Sequence, residues 1–205
     1  NKTKSPVELG LFNSCFYAQI AKIRIKDGMN SQSLPEIKSA FKTLSTDFTN
    51  LINSYVDHFI NIKKEGKWSI GEETEHVILA AQGTLYLINQ PKENLPASDH
   101  ASKSYDELEL AYKSGLALTP GINNPLTNPQ TGPLTKKQLV EKWENTMAGI
   151  NKDLDQWTDE EMDKVTVWKH PLLGKLTPKE MLLFTIFHSK GHILTINAKI
   201  SSFEP

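Results

Sequence analysis

A chain of 205 residues and 23.1 kDa is long enough for one domain with a sizeable core. Its 23 basic and 24 acidic residues leave a formal net charge of -1 and a pI near 6.7, which offers no electrostatic footprint for nucleic acid or for an anionic membrane. No apolar run reaches the roughly 18 uncharged residues of a membrane span, and the one cysteine, Cys15, permits neither an internal disulfide nor a thiolate zinc site.

Residues 1–33 match no pattern that can be placed, and the run FYAQIAKIRI within them reads equally as a helix or an edge strand. From residue 34 to residue 63 the apolar positions Ile37, Phe41, Leu44, Phe48, Leu51, Tyr55 and Ile62 recur in steps of four and three, with Ser33 and Pro35 at the start and Lys63, Lys64 and Gly66 as the stop. That is the stripe of a bundle helix. A second helix opens on Ser69 with Glu72 as its capping-box partner and runs to about Asn89, before Pro91.

From Gln90 to Leu134 the composition turns to proline and to the runs PGINNP and NPQTGP, which mark a long crossover. Ser104 and Glu107 predict a short helix inside it, ending at Gly115. A third long helix is expected from Thr135, with Leu139, Trp143, Met147, Ile150, Leu154 and Trp157 inward. Val165, Thr166, Val167 and Trp168 suggest one short extended segment within residues 158–176. The last helix starts at Thr177, where Thr177, Pro178 and Glu180 supply an N-cap, a preorganised first turn and a capping-box partner. Four long helices with one long crossover predict an all-α four-helix bundle, here assigned to residues 34–205.

The last helix is apolar nearly all round and carries His188 and His192 four residues apart. That spacing stacks two imidazoles on one face, one turn apart, within reach of a single metal ion. The bland alternative is a pair of core histidines with ordinary hydrogen bonds. A third ligand must come from another helix, and the best placed is His76, two turns past Ser69; its own bland reading is a half-exposed histidine bonded to a carboxylate. His58 falls near the seam of the first helix, where a proton shuttle or a further ligand competes with a boundary position beside a buried Phe59. Glu72 stands one turn before His76 and can orient it, although capping is the better supported role. His100 lies in the polar crossover and is expected in solvent. His170 precedes Pro171 in the loop before the last helix, a place from which it can support a ligand.

The order of a tryptophan, a capped helix ending in EH, a long crossover and a last helix carrying HxxxH resembles the DinB/YfiT-like superfamily of metal-binding four-helix bundles. The string HPLLGKLTPKEM from His170 to Met181 is similar to a branch in which HPxxGKLTP precedes the paired histidines. The resemblance covers about residues 34–200 and implies a divalent metal on His76, His188 and His192. It further implies a transferase using a low-molecular-weight thiol, or a hydrolase, with a small-molecule substrate. Two departures stand out: Gly191, between the ligand histidines, where a larger polar residue is usual, and the unmatched residues 1–33.

Three neutral imidazoles leave the charge of a dication uncompensated and at least one coordination position open, the arrangement of a catalytic site. Such an ion lowers the pKa of bound water toward about 7 and equally favours a thiolate. Imidazole ligation suits zinc or nickel first, with iron or copper behind. A non-catalytic ligand-binding or interaction module on the same bundle is the rival reading. No nucleic acid and no membrane are expected as partners, a homodimer is allowed for, and the cytoplasm is favoured, with export left open because the natural N-terminus is not visible.

Overall fold

The computed structural model describes residues 32–63, 66–120, 124–129 and 132–202. The stretch FYAQIAKIRI and Cys15 lie outside the described residues. The helices are α1 (Leu34–Ser54), α2 (Ile70–Ile88), α3 (Tyr105–Leu118), α4 (Lys136–Asp153), α5 (Asp159–Lys164) and α6 (Pro178–Ser201), with a small antiparallel hairpin of β1 (Trp168–His170) and β2 (Gly174–Leu176) before α6. The architecture is an all-α bundle, as expected: α1 and α2 each pack against α4 and α6, and α3 lies against α6. Among the described residues no helix is long and apolar enough to cross a membrane.

Each of these α-helices opens on a capping box, with Ser33, Ser69, Ser104, Thr135, Thr158 and Thr177 as the N-caps. A side chain and a backbone N–H thereby satisfy each other's polar groups where a helix end would otherwise leave donors orphaned. The core is the predicted stripe. Ile37, Phe41, Leu44 and Phe48 are at most 1% exposed, and Phe48 meets the ring of Trp143 edge-on at 4.6 Å. The indole N–H of Trp143 donates to the Ser45 carbonyl at 3.2 Å, so even the one polar atom of this large side chain is satisfied.

Three expectations about the elements are corrected. The first helix stops at Ser54, not residue 63, because Tyr55 turns into extended backbone and buries its ring so that its hydroxyl meets Thr74 Oγ1 at 2.9 Å. The chain then folds back on α2, where the Gly71 N–H donates to the Ile60 carbonyl at 2.8 Å and leaves a Cβ no room. The crossover helix continues past Gly115 to Leu118: this glycine is no stop but the point where Leu172 of the hairpin presses closest, 3.1 Å from where a Cβ would stand. Residues 158–176 hold a helix and a hairpin instead of one extended segment. The hairpin closes at Gly174, whose φ of +75° is a left-handed conformation that side chains avoid.

At the start of α6, Thr177 Oγ1 accepts from the Glu180 N–H at 3.2 Å, while the Glu180 carboxylate accepts from the Thr177 N–H at 2.9 Å. Ser102 of the crossover adds a hydroxyl contact to Thr177 at 2.7 Å. Buried Glu180 also holds the His100 ring, the Lys103 N–H and the Lys103 ammonium. His100 is therefore not solvated as expected, but ties the crossover to α6. Replacing Thr177 by Ala should cost about 1 to 2 kcal/mol in urea unfolding, the loss of an N-cap plus one hydroxyl contact. A variant as stable as the parent protein would show that the box contributes nothing.

Candidate metal centre

Two helices build the site. α2 carries His76 two turns beyond its cap, and α6 presents His188 and His192 on consecutive turns. Because α2 and α6 pack together, the three rings meet, with centroids 5.1 Å apart for His76 and His188, 4.7 Å for His76 and His192, and 4.6 Å for His188 and His192. One ligand nitrogen from each lies within 4.8 Å of the others.

The hydrogen bonds around the rings decide which nitrogens are free. His76 Nδ1 is 2.8 Å from the Thr127 carbonyl oxygen, which only accepts, so Nδ1 carries the proton and Nε2 keeps its lone pair. His192 Nδ1 is 2.9 Å from a Glu73 carboxylate oxygen, and the same reasoning leaves its Nε2 free. His188 is buried, and its Nε2 is 3.3 Å from His76 Nε2. Its Nδ1 is buried with no hydrogen-bond partner among the described residues. An ordinary core histidine would have one. Among the described residues the only hydrogen bond of the His188 ring is the one between its Nε2 and His76 Nε2, and the three rings together could hold a metal ion.

The donor set fits a divalent ion. Nitrogens about 2.0 to 2.1 Å from one tetrahedral ion stand roughly 3.3 to 3.4 Å apart, which the His76 and His188 pair matches at 3.3 Å. The His192 nitrogen lies within 4.8 Å of the other two. Burial, the largest cause, holds the His76 ring down to about 4, and burial pushes His188 well below the usual histidine value. Both rings are thus neutral near pH 7, the form that binds metal. Burial alone would lift the Glu73 carboxyl, but hydrogen bonds from His192 and Lys199 outweigh it and keep it below the usual carboxylate range.

The orienting carboxylate is Glu73, which the sequence reading missed, and not Glu72. Glu72 caps Ser69 and pairs with Lys63 at 2.6 Å. Glu73 precedes His76 by three residues and is buried, but Glu72, four residues before His76, has an equally helical spacing, so nothing in the sequence set the two acids apart. The structure places His58 in an exposed turn, Asp57–Phe59, outside the histidine cluster, since α1 ends before it. A Cβ at Gly191 would meet nothing within 4 Å, so no neighbouring helix presses on that position.

His170 is buried against Phe184, with ring centroids 4.7 Å apart, and its Nδ1 accepts from the N–H groups of Leu172 and Leu173 at 3.1 and 3.2 Å. It shapes the hairpin turn; Phe184, stacked on His188 at 5.2 Å, links it to the site. Burial holds His170 down to about 4 from 6.5. Between those pH values the unfolded chain binds the extra proton, so the contribution is intact above about 6.5 and lost by about 4. That loss amounts to about 3 kcal/mol. In His170→Asn the side-chain oxygen can still accept from the two amides but does not titrate. Urea unfolding of this variant should therefore lose less stability than the parent protein between pH 7 and pH 4; an equally steep loss would contradict the assignment.

The family model described as the DinB superfamily matches residues 33–196, a span that contains His76, His188, His192 and Glu73. Neither curated proteins nor solved structures gave a match.

Proposed function

The chain belongs to the DinB superfamily, and from that premise and its three converging imidazoles we propose a divalent-metal-dependent enzyme acting on a small molecule, of the thiol S-transferase or hydrolase type. The observation that carries this reading is the free Nε2 of His76, 3.3 Å from that of His188, on a ring whose Nδ1 is already committed to Thr127. His76, His188 and His192 would hold the ion, with zinc or nickel the best suited to imidazole. When bound, the ion supplies Lewis acidity and keeps a water or a low-molecular-weight thiol in its nucleophilic form near neutral pH.

The chain's own groups do the positioning. Thr127 and Glu73 fix the rings of His76 and His192 with their lone pairs inward. Phe184 lies over His188, and Tyr112 meets the same ring edge-on with centroids 6.4 Å apart. This aromatic wall keeps water from one side of the site, which strengthens every charge interaction inside it. On the other side Trp68, partly exposed, packs against His76 at 4.9 Å and offers a flat apolar surface to a substrate.

Protein purified without an affinity tag should contain about one equivalent of zinc or nickel by elemental analysis. It should also turn over thiol-reactive electrophiles in the presence of a low-molecular-weight thiol, or hydrolyse small esters or amides, and stop when a chelator is added. Folded protein without metal, inert toward these compounds, would instead favour a non-catalytic ligand-binding module.

A further inference from the structure

Glu73 does more than meet one histidine. Its second carboxylate oxygen is paired with the Lys199 ammonium, about two turns beyond His192 on α6, and that ammonium also donates to the Trp68 carbonyl at 2.9 Å. The Glu73 side chain is 4% exposed and the Lys199 side chain 22%, so the pair is largely shielded from water and its charges act at short range. A lone carboxylate on the Nδ1 side makes an imidazole a stronger donor and draws down the positive charge felt at the metal. An ammonium on the same carboxylate reverses the second effect and leaves the orientation intact.

We propose that Lys199 is the charge-compensating residue of this centre: it cancels Glu73, so that the ion keeps its full charge for an anionic fourth ligand. The acid behind His192 is paired with Lys199, and a position left open on an ion held by imidazoles is therefore selective for anions. A substrate or co-substrate that docks through a carboxylate or another anionic donor fits this site better than a neutral one. This inference rests on the metal reading above and adds to it the charge of what the ion receives.

The test uses the full chain loaded with Co²⁺, whose visible spectrum reports the coordination shell, titrated with azide at fixed pH. Lys199→Met leaves an uncompensated carboxylate and should weaken azide binding about tenfold. Glu73→Gln leaves an uncompensated ammonium and should tighten it by a similar factor, while weakening Co²⁺ itself by about 10- to 100-fold through poorer orientation of His192. The double variant, with both charges removed, should bind azide as the wild type does. If Lys199→Met fails to fold, Glu73→Gln alone still tests the proposal: tighter azide binding supports it and unchanged azide affinity overturns it. A salt bridge that only supports the fold would not reverse sign between the two single variants. Equal azide affinity in all the variants, with Co²⁺ bound, would overturn the role of Lys199 and leave the metal site standing. No Co²⁺ or Zn²⁺ binding by the wild type would overturn both.

Discussion

Replacing His188 by Ala should abolish stable metal binding, weakening it on the order of a thousandfold, because one of three ligand nitrogens is lost from a site where each contributes several kcal/mol. Isothermal titration with Zn²⁺ would measure it, and any metal-dependent turnover should vanish in parallel. The metal-free variant should keep the helical content of the parent protein. His188 has an unpartnered buried nitrogen, so its removal relieves a desolvation penalty even as it opens a small cavity. A variant that unfolds would mean that His188 serves the core first. A folded variant that still binds zinc tightly would mean that the ligands lie elsewhere.

The largest effect on stability is expected at Trp143. Its side chain is fully buried between α1 and α4, edge-on to Phe48, with its indole N–H on the Ser45 carbonyl. Trp143→Ala should cost about 4 kcal/mol in urea unfolding, from lost burial, the cavity and the lost indole hydrogen bond. Since a domain of this kind has roughly 5 to 15 kcal/mol in total, the variant would lose from about a quarter to most of its stability. A cost below about 1 kcal/mol would show that the α1 and α4 stripes are not the core. The two substitutions separate fold from site: one should remove the metal and keep the bundle, and the other should weaken the bundle with the metal ligands untouched.

The helix starts were legible because their signals are local. Ser69 with Glu72, Ser104 with Glu107 and Thr177 with Pro178 and Glu180 each place a backbone donor and its acceptor three residues apart, which needs no tertiary context. Thr158 with Glu161 carries the same signal and marks α5, which was overlooked among the extended-looking residues that follow it. The ends were harder. α1 stops where Tyr55 finds Thr74, and α3 runs on because Gly115 meets Leu172; both depend on partners 19 and 57 residues away.

At the site, the pairing of His188 and His192 follows from helical period alone, and His76 was the best-placed third ligand from its position two turns into the second helix, with the family resemblance pointing to the same residue. The groups behind the rings were not legible. Thr127 contributes a backbone carbonyl, which every residue has, and Glu73 differs from Glu72 only in which face of α2 it occupies. Lys199 gained its meaning from Glu73. What surrounds a ligand is set by how two helices are rotated against each other, and a 3.6-residue period fixes that rotation only once both partners are known.

The most direct test is a crystal structure of untagged protein with anomalous data collected on both sides of the zinc and nickel edges. The account predicts a single strong anomalous peak about 2.0 to 2.2 Å from Nε2 of His76, His188 and His192, with His76 Nδ1 still on the Thr127 carbonyl and His192 Nδ1 still on Glu73. A metal bound elsewhere, or a zinc-soaked crystal with no peak among these three rings, would contradict it.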